Sequence, residues 1–349
     1  MKRKNYTNLI IVALTAGIGL GVPAASYAQV VMTASDSIGN SSFNAAGTWN
    51  SGLAPAAGST YSTLGYLLRG PASGAGPYVF AGDSLTVGGG SGAAAGGSAW
   101  LASSGTTTAN NNALIFKVSG QTLTVNNLIL DGAQIRDGLG DNQTWTLNGN
   151  ITVTANGGGF VAQSLGTINS AISGSGPLYI GDQGNVGDTG RGIFLTSGSS
   201  TFNGNIYMNE SVANRSRLTF TGGSIMNFAI GANGVNNGIF VNSQYAEFAG
   251  IFNFDLTGAD TTLGDSWALV STIAGGTSIY DSTFSIAGFT QNGTLWDDPI
   301  GNTGNQYEFN PATGILSVNP VPEPSAVSLI GGLGLLGLVL RRHSKAFVK

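Results

Sequence analysis

Between Gln29 and Pro320 the apolar residues fall into short runs of period two, and no run carries the three- and four-residue spacing of an amphipathic helix of ordinary length. A chain patterned this way buries side chains by laying strands together. Leu123 and Val125 alternate with Thr122 and Thr124. Trp145 and Leu147, then Ile151 and Val153, repeat the pattern around Asn148-Gly149-Asn150, which reads as a turn. Pairs follow at Ile193 and Leu195, Ile206 and Met208, and Leu218 and Phe220. Phe252, Phe254 and Leu256 share one face of a strand, with Asn253 and Asp255 on the other.

Glycine supplies 56 of the 349 residues, yet without a three-residue period and with only 10 prolines, so the glycines mark turns and not a collagen helix. The segments SGQTLTVNNLILDGAQI, ISGSGPLYIGDQG and RLTFTGGSIMNFAIGANGVNNGIF are loosely alike, with a period of about 20 to 25 residues, the size of one solenoid coil. The reading is all-β: a right-handed parallel β-helix with a C-terminal β cap, against a β-sandwich of the jelly-roll kind as the alternative. Over residues 110–250 the Gly-Ser-Gly turns, such as Ser173-Gly174-Ser175-Gly176 before an apolar strand, resemble autotransporter passenger repeats. The expected organisation is a leader over 1–28, a Gly- and Asn-rich body over 29–250, an aromatic-rich capping region over 251–319, and a sorting tail over 320–349. Gly88 to Asn112, nearly all small and polar, is expected to be a loop or insertion.

Between Gln29 and Pro320 there are 6 basic and 16 acidic residues, a net charge near −10, which makes nucleic acid an unsuitable partner. There is no cysteine, so neither disulfides nor thiolate metal sites are available. The single histidine, His343, lies in the tail, which removes Ser-His-Asp and Cys-His catalysis and the usual zinc sites from the body. No cofactor motif is present. Asp131, Asp137 and Asp141 crowd one Gly-rich stretch, and Asp182 and Asp188 flank Gly-Asn-Val-Gly. They read as solvated turn formers, with calcium ligation or paired-acid hydrolysis as the chemistry left open. Trp49, Trp100, Trp145, Trp267 and Trp296 read as core anchors before sugar platforms, and Arg215 and Arg217 as surface charge.

The two ends carry the strongest signals. Lys2 to Lys4, an apolar run from Leu9 to Leu20, and Ser26-Tyr27-Ala28 make a secretory leader cut after Ala28. At the other end Pro322-Glu323-Pro324 precedes a Gly- and Leu-rich apolar run and then Arg341 and Arg342. That three-part order closely resembles a PEP-CTERM sorting signal. The run from Ala326 to Leu340, at about 1.5 Å per residue, spans a bilayer only marginally, and the arginines behind it stay cytoplasmic. The resemblance implies an exosortase-type membrane peptidase as partner, transient residence in the inner membrane, and delivery to the cell surface or beyond, with extracellular polysaccharide as a further partner. The expected function is a non-catalytic structural or adhesive envelope protein. The alternative is a secreted polysaccharide-binding or polysaccharide-degrading protein using paired carboxylates.

Overall fold

The computed structural model describes residues 29–89, 112–182, 190–208, 217–242 and 244–322. Ala28, Glu323, Pro324, Arg341, Arg342 and most of the stretch from Gly88 to Asn112 lie outside them. The described chain is an all-β parallel solenoid. One face is an eleven-stranded sheet and a second an eight-stranded sheet, both built by parallel pairing between successive coils, and a third face carries three strands. Among the described residues no helix is long and apolar enough to cross a membrane.

Parallel stacking in register converts the period-two pattern into columns, because equivalent residues of successive coils point the same way. One inward column of the large sheet runs Leu123, Leu147, Ile168, Leu195, Phe220, Phe248, Tyr280. Another, in the eight-stranded sheet, runs Leu114, Ile135, Phe160, Ile180, Met208, Val241. All of these except Tyr280 are buried. Each such side chain contributes about 1.5–3 kcal/mol of transfer free energy, which stands in for the missing disulfides. The coil length is not constant: Leu147 to Ile168 is 21 residues and Phe248 to Tyr280 is 32.

Asn148-Gly149-Asn150 is not a reversal. The strand Thr144–Val153 runs straight through it, with Asn148, Gly149 and Asn150 paired to Asn169, Ser170 and Ala171 of the next coil. Gly149 has φ of 114°, and a Cβ there would stand 2.0 Å from the Val125 carbonyl oxygen, so the glycine bends one long strand around a corner of the solenoid. The turn reading failed because a parallel coil needs at its bends the same residue types that a chain-reversing turn needs.

Parallel pairing continues past residue 251. Ile251–Asp255, Val270–Ile273, Thr277–Tyr280 and Ser285–Ile286 all pair with coil strands. The end is closed by an antiparallel sheet of Ser266–Ala268, Thr290–Asn292, Leu295–Pro299, Asn305–Asn310 and Ile315–Pro320. Phe309 of that sheet lies within 5.8–6.5 Å, ring centroid to centroid, of Phe252, Phe254, Tyr280 and Phe284. At the other end Phe43, Trp49, Tyr61 and Phe80 form an edge-to-face cluster over the first coil.

Candidate functional site

The clustered aspartates separate on folding. Asp131 ends the strand Gln121–Asp131 and accepts hydrogen bonds from Thr154 Oγ1 at 2.6 Å and Asn156 Nδ2 at 2.7 Å. Asp141 pairs with the buried Arg191 at 2.5 Å. Asp137, fully buried, ends Ala133–Asp137 on the eight-stranded sheet. Its Oδ2 accepts from Trp145 Nε1 at 2.7 Å, Ser164 Oγ at 3.0 Å and the Gln163 amide at 3.1 Å, and its Oδ1 from the Leu139 amide at 3.0 Å. Burial pushes the Asp137 carboxyl above its ordinary pKa, and those four donors pull it partly back. These are carboxylates committed to holding coils together. Among the described residues no three His, Cys, Asp or Glu side chains gather where they would hold a metal ion. Asp182 ends the strand Leu178–Asp182, and its side chain and all of Asp188 lie outside the described residues.

The tryptophans also turn inward. Trp49, Trp145, Trp267 and Trp296 are all buried, and Trp100 lies outside the described residues. Trp145 stacks on Phe116 at 4.5 Å and shares its Nε1 hydrogen with Asp137, so its ring face is not presented to a sugar. Arg217 pairs with Glu247 and stands 5.5 Å from the Tyr245 ring centroid, and Arg215 lies outside the described residues. Of Pro322, Glu323 and Pro324, Pro322 is described, exposed, and follows the last strand of the cap.

A polar groove lies beside the three-stranded face. It has a volume of about 480 Å³ and is lined by Thr201, Asn203, Asn227, Ala229, Asn253 and Asp255, and by Phe228 and Phe254, whose rings are buried on the core side of the same strands. Asn253 donates to Asn227 Oδ1 at 2.8 Å, and Asn227 donates to the Ser200 carbonyl at 2.6 Å. Asp255 accepts from Thr257 Oγ1 and the Thr257 amide, bonds that hold its exposed carboxyl below the usual range. A second polar ladder climbs the large sheet, where Thr196 donates to Asn169, Asn169 to Asn148 and Asn148 to Thr124. Parallel register makes such ladders, because it places equivalent amides of successive coils in contact. Asn253 and Asp255 were legible as the outward face of one strand. That Asn227 and Asn203 join them was not, since that depends on unequal coil lengths.

Searches against protein-family models, curated proteins and solved structures each return no match for this chain. The functional reading therefore stands on residues and geometry alone.

Proposed function

We propose that this protein is an exported, non-catalytic structural or adhesive component of the cell envelope or extracellular matrix, released from the membrane by an exosortase-type peptidase acting near Pro322-Glu323-Pro324. The observation that carries the reading is the order of the tail: a proline-flanked glutamate, a short apolar run and terminal arginines, opposite a secretory leader ending at Ala28. The body supports it. A capped solenoid with sparse charge is a rigid spacer, and Asp131, Asp137 and Asp141 are engaged by Asn156, Trp145 and Arg191. The test compares the full-length protein with a variant in which Pro322, Glu323 and Pro324 are alanine. Retention of the variant at the inner membrane with an intact C-terminus is expected, while identical processing and location in both would refute the proposal.

A second reading, polysaccharide binding, is favoured by the groove, whose asparagine amides and exposed Asp255 offer donors and acceptors side by side. Asn253→Ala should weaken retardation of the protein in gels cast with the neutral glycan it recognises. Unretarded migration of the wild type across a panel of neutral glycans would remove this reading.

A further inference from the structure

An asparagine followed by glycine can react with its own backbone, because the amide that would attack the side chain carries no Cβ beside it and the glycine turns freely. Six such pairs occur in the chain, at Asn148, Asn156, Asn203, Asn233, Asn237 and Asn292. Folding separates one of them from the other five.

Five are held. Asn148-Gly149 lies inside the strand Thr144–Val153, and Asn148 Oδ1 accepts from Asn169. At three more the attacking amide is occupied: Gly157 donates to the Thr154 carbonyl at 2.9 Å, Gly234 to the Ser266 carbonyl at 3.1 Å and Gly238 to Asn205 Oδ1 at 2.9 Å. Gly204 is buried, and a Cβ there would stand 2.2 Å from the Gly176 carbonyl oxygen, so its backbone has no room to turn toward Asn203.

Asn292-Gly293 is placed differently. Thr290–Asn292 and Leu295–Pro299 pair antiparallel with Asn292 opposite Leu295, which leaves Gly293-Thr294 as a two-residue turn on the edge strand of the cap. The first loop amide of such a turn lies outside the ladder. Asn292, Gly293 and Thr294 are all exposed, Gly293 has φ of 64°, and nothing lies within 4 Å of the place its Cβ would take. The Asn292 side chain makes a long, exposed bond from Nδ2 to Asp297 Oδ2 at 3.2 Å.

We propose that Asn292 is a site of spontaneous deamidation, the Asn-Gly pair that the fold leaves reactive. The Gly293 nitrogen gives its proton to solvent base and bonds to Asn292 Cγ, the Cγ–Nδ2 bond breaks, and Nδ2 leaves as ammonia. Water then opens the cyclic imide at either carbonyl, giving aspartate or its β-linked isomer with no change in oxidation state. The new carboxylate stands against Asp297, where the amide had donated, and like charges there repel across the cap's edge strand.

The purified full-length chain is incubated at mildly alkaline pH and mapped over time by mass spectrometry, with fragmentation that separates aspartate from its β-linked isomer. Asn292 should convert first, about tenfold or more ahead of the other five, which react only from locally opened states. Both products should appear, and the rate should rise with pH. In denaturing urea the six rates should converge. Gly293→Ala, which sets a methyl group beside the attacking nitrogen, should suppress the reaction; where alanine at that φ spoils the turn, the wild-type ranking alone decides. Conversion of another pair before Asn292, aspartate formed without its isomer, or a ranking that survives urea unchanged would each overturn the proposal.

Discussion

The indole nitrogen of Trp145 donates to Oδ2 of Asp137 across 2.7 Å in the interior of the solenoid, tying the eleven-stranded sheet to the eight-stranded one at a buried corner. Around that bond the packing is unforgiving. Phe116 stacks on the ring from the preceding coil, and Gly166 of the following coil lies in register with Trp145.

Removing the acceptor strips two buried donors, Trp145 Nε1 and Ser164 Oγ, and the part-buried amides of Gln163 and Leu139 of their shared acceptor, so Asp137→Ala should cost about 3 kcal/mol or more, read as a fall in the urea midpoint. The pH dependence carries a definite sign. Burial raises the Asp137 pKa in the folded state, so the folded chain takes up this proton more readily than the unfolded one. Stability from this group is therefore gained as pH falls through the raised pKa and lost as pH rises. Asp137→Asn has no such proton. Melting temperatures of the two proteins from pH 7 down to pH 4 should diverge in favour of the wild type toward acid, and parallel curves would show that the carboxyl is not perturbed.

Gly166 is a glycine for reasons of space. A Cβ there would stand 2.1 Å from Trp145 Cζ2 and 2.5 Å from Cε2, and the ring is held by Asp137 and Phe116. Gly166→Ala should cost about 1–3 kcal/mol or more in the urea midpoint. With Trp145→Phe the ring shortens and the clash is relieved, so the double variant should be more stable than the sum of the two single losses predicts. Strict additivity would place the strain elsewhere.

The Gly166 requirement shows how far the sequence could be read. Inward Leu123, Leu147, Leu218 and Phe220 were legible because one face of each strand is buried and the other is polar. Ala113–Phe116 and Gly158–Ala162 were not, because every residue in them is buried and alternation vanishes. Local pattern also says nothing of which coil sits beside which. Hence the partition of the aspartates, the asparagine ladders and the column of Arg69, Ile115 and Arg136 emerge only with the register, and the register depends on coils of unequal length, 20 residues from Phe160 to Ile180 and 33 from Met208 to Val241.

Tyr280 ends the inward column with a hydroxyl that is buried and has no hydrogen-bond partner among the described residues. Burial pushes its phenol pKa far above the ordinary value. Tyr280→Phe keeps the ring contacts with Phe248 and Phe284 and removes the unsatisfied group. The expected result is unchanged or raised stability, by up to about 1–2 kcal/mol in the urea midpoint. A clear loss would mean that the hydroxyl has a partner such as an ordered water.

Phe309 should behave in the opposite way. It is fully buried, belongs to the antiparallel cap, and touches rings from three different coil segments, at Phe252, Tyr280 and Phe284. Truncation to alanine removes the shared anchor and should cost about 3–5 kcal/mol. The consequence differs from that of an ordinary core cavity, because the cap covers the last coil, whose strands Val270–Ile273 and Thr277–Tyr280 have only one parallel neighbour each. Loosening the cap exposes their unpaired edges, and Ile273 and Ile279 are already solvent-facing there. Phe309→Ala should therefore aggregate with concentration dependence at temperatures where the solenoid is still folded, detected by light scattering alongside circular dichroism. Phe160→Ala, an equally buried ring in the middle of the stack, should unfold before it aggregates. Simultaneous onset of scattering and unfolding in both variants would show that the cap does not protect the edge.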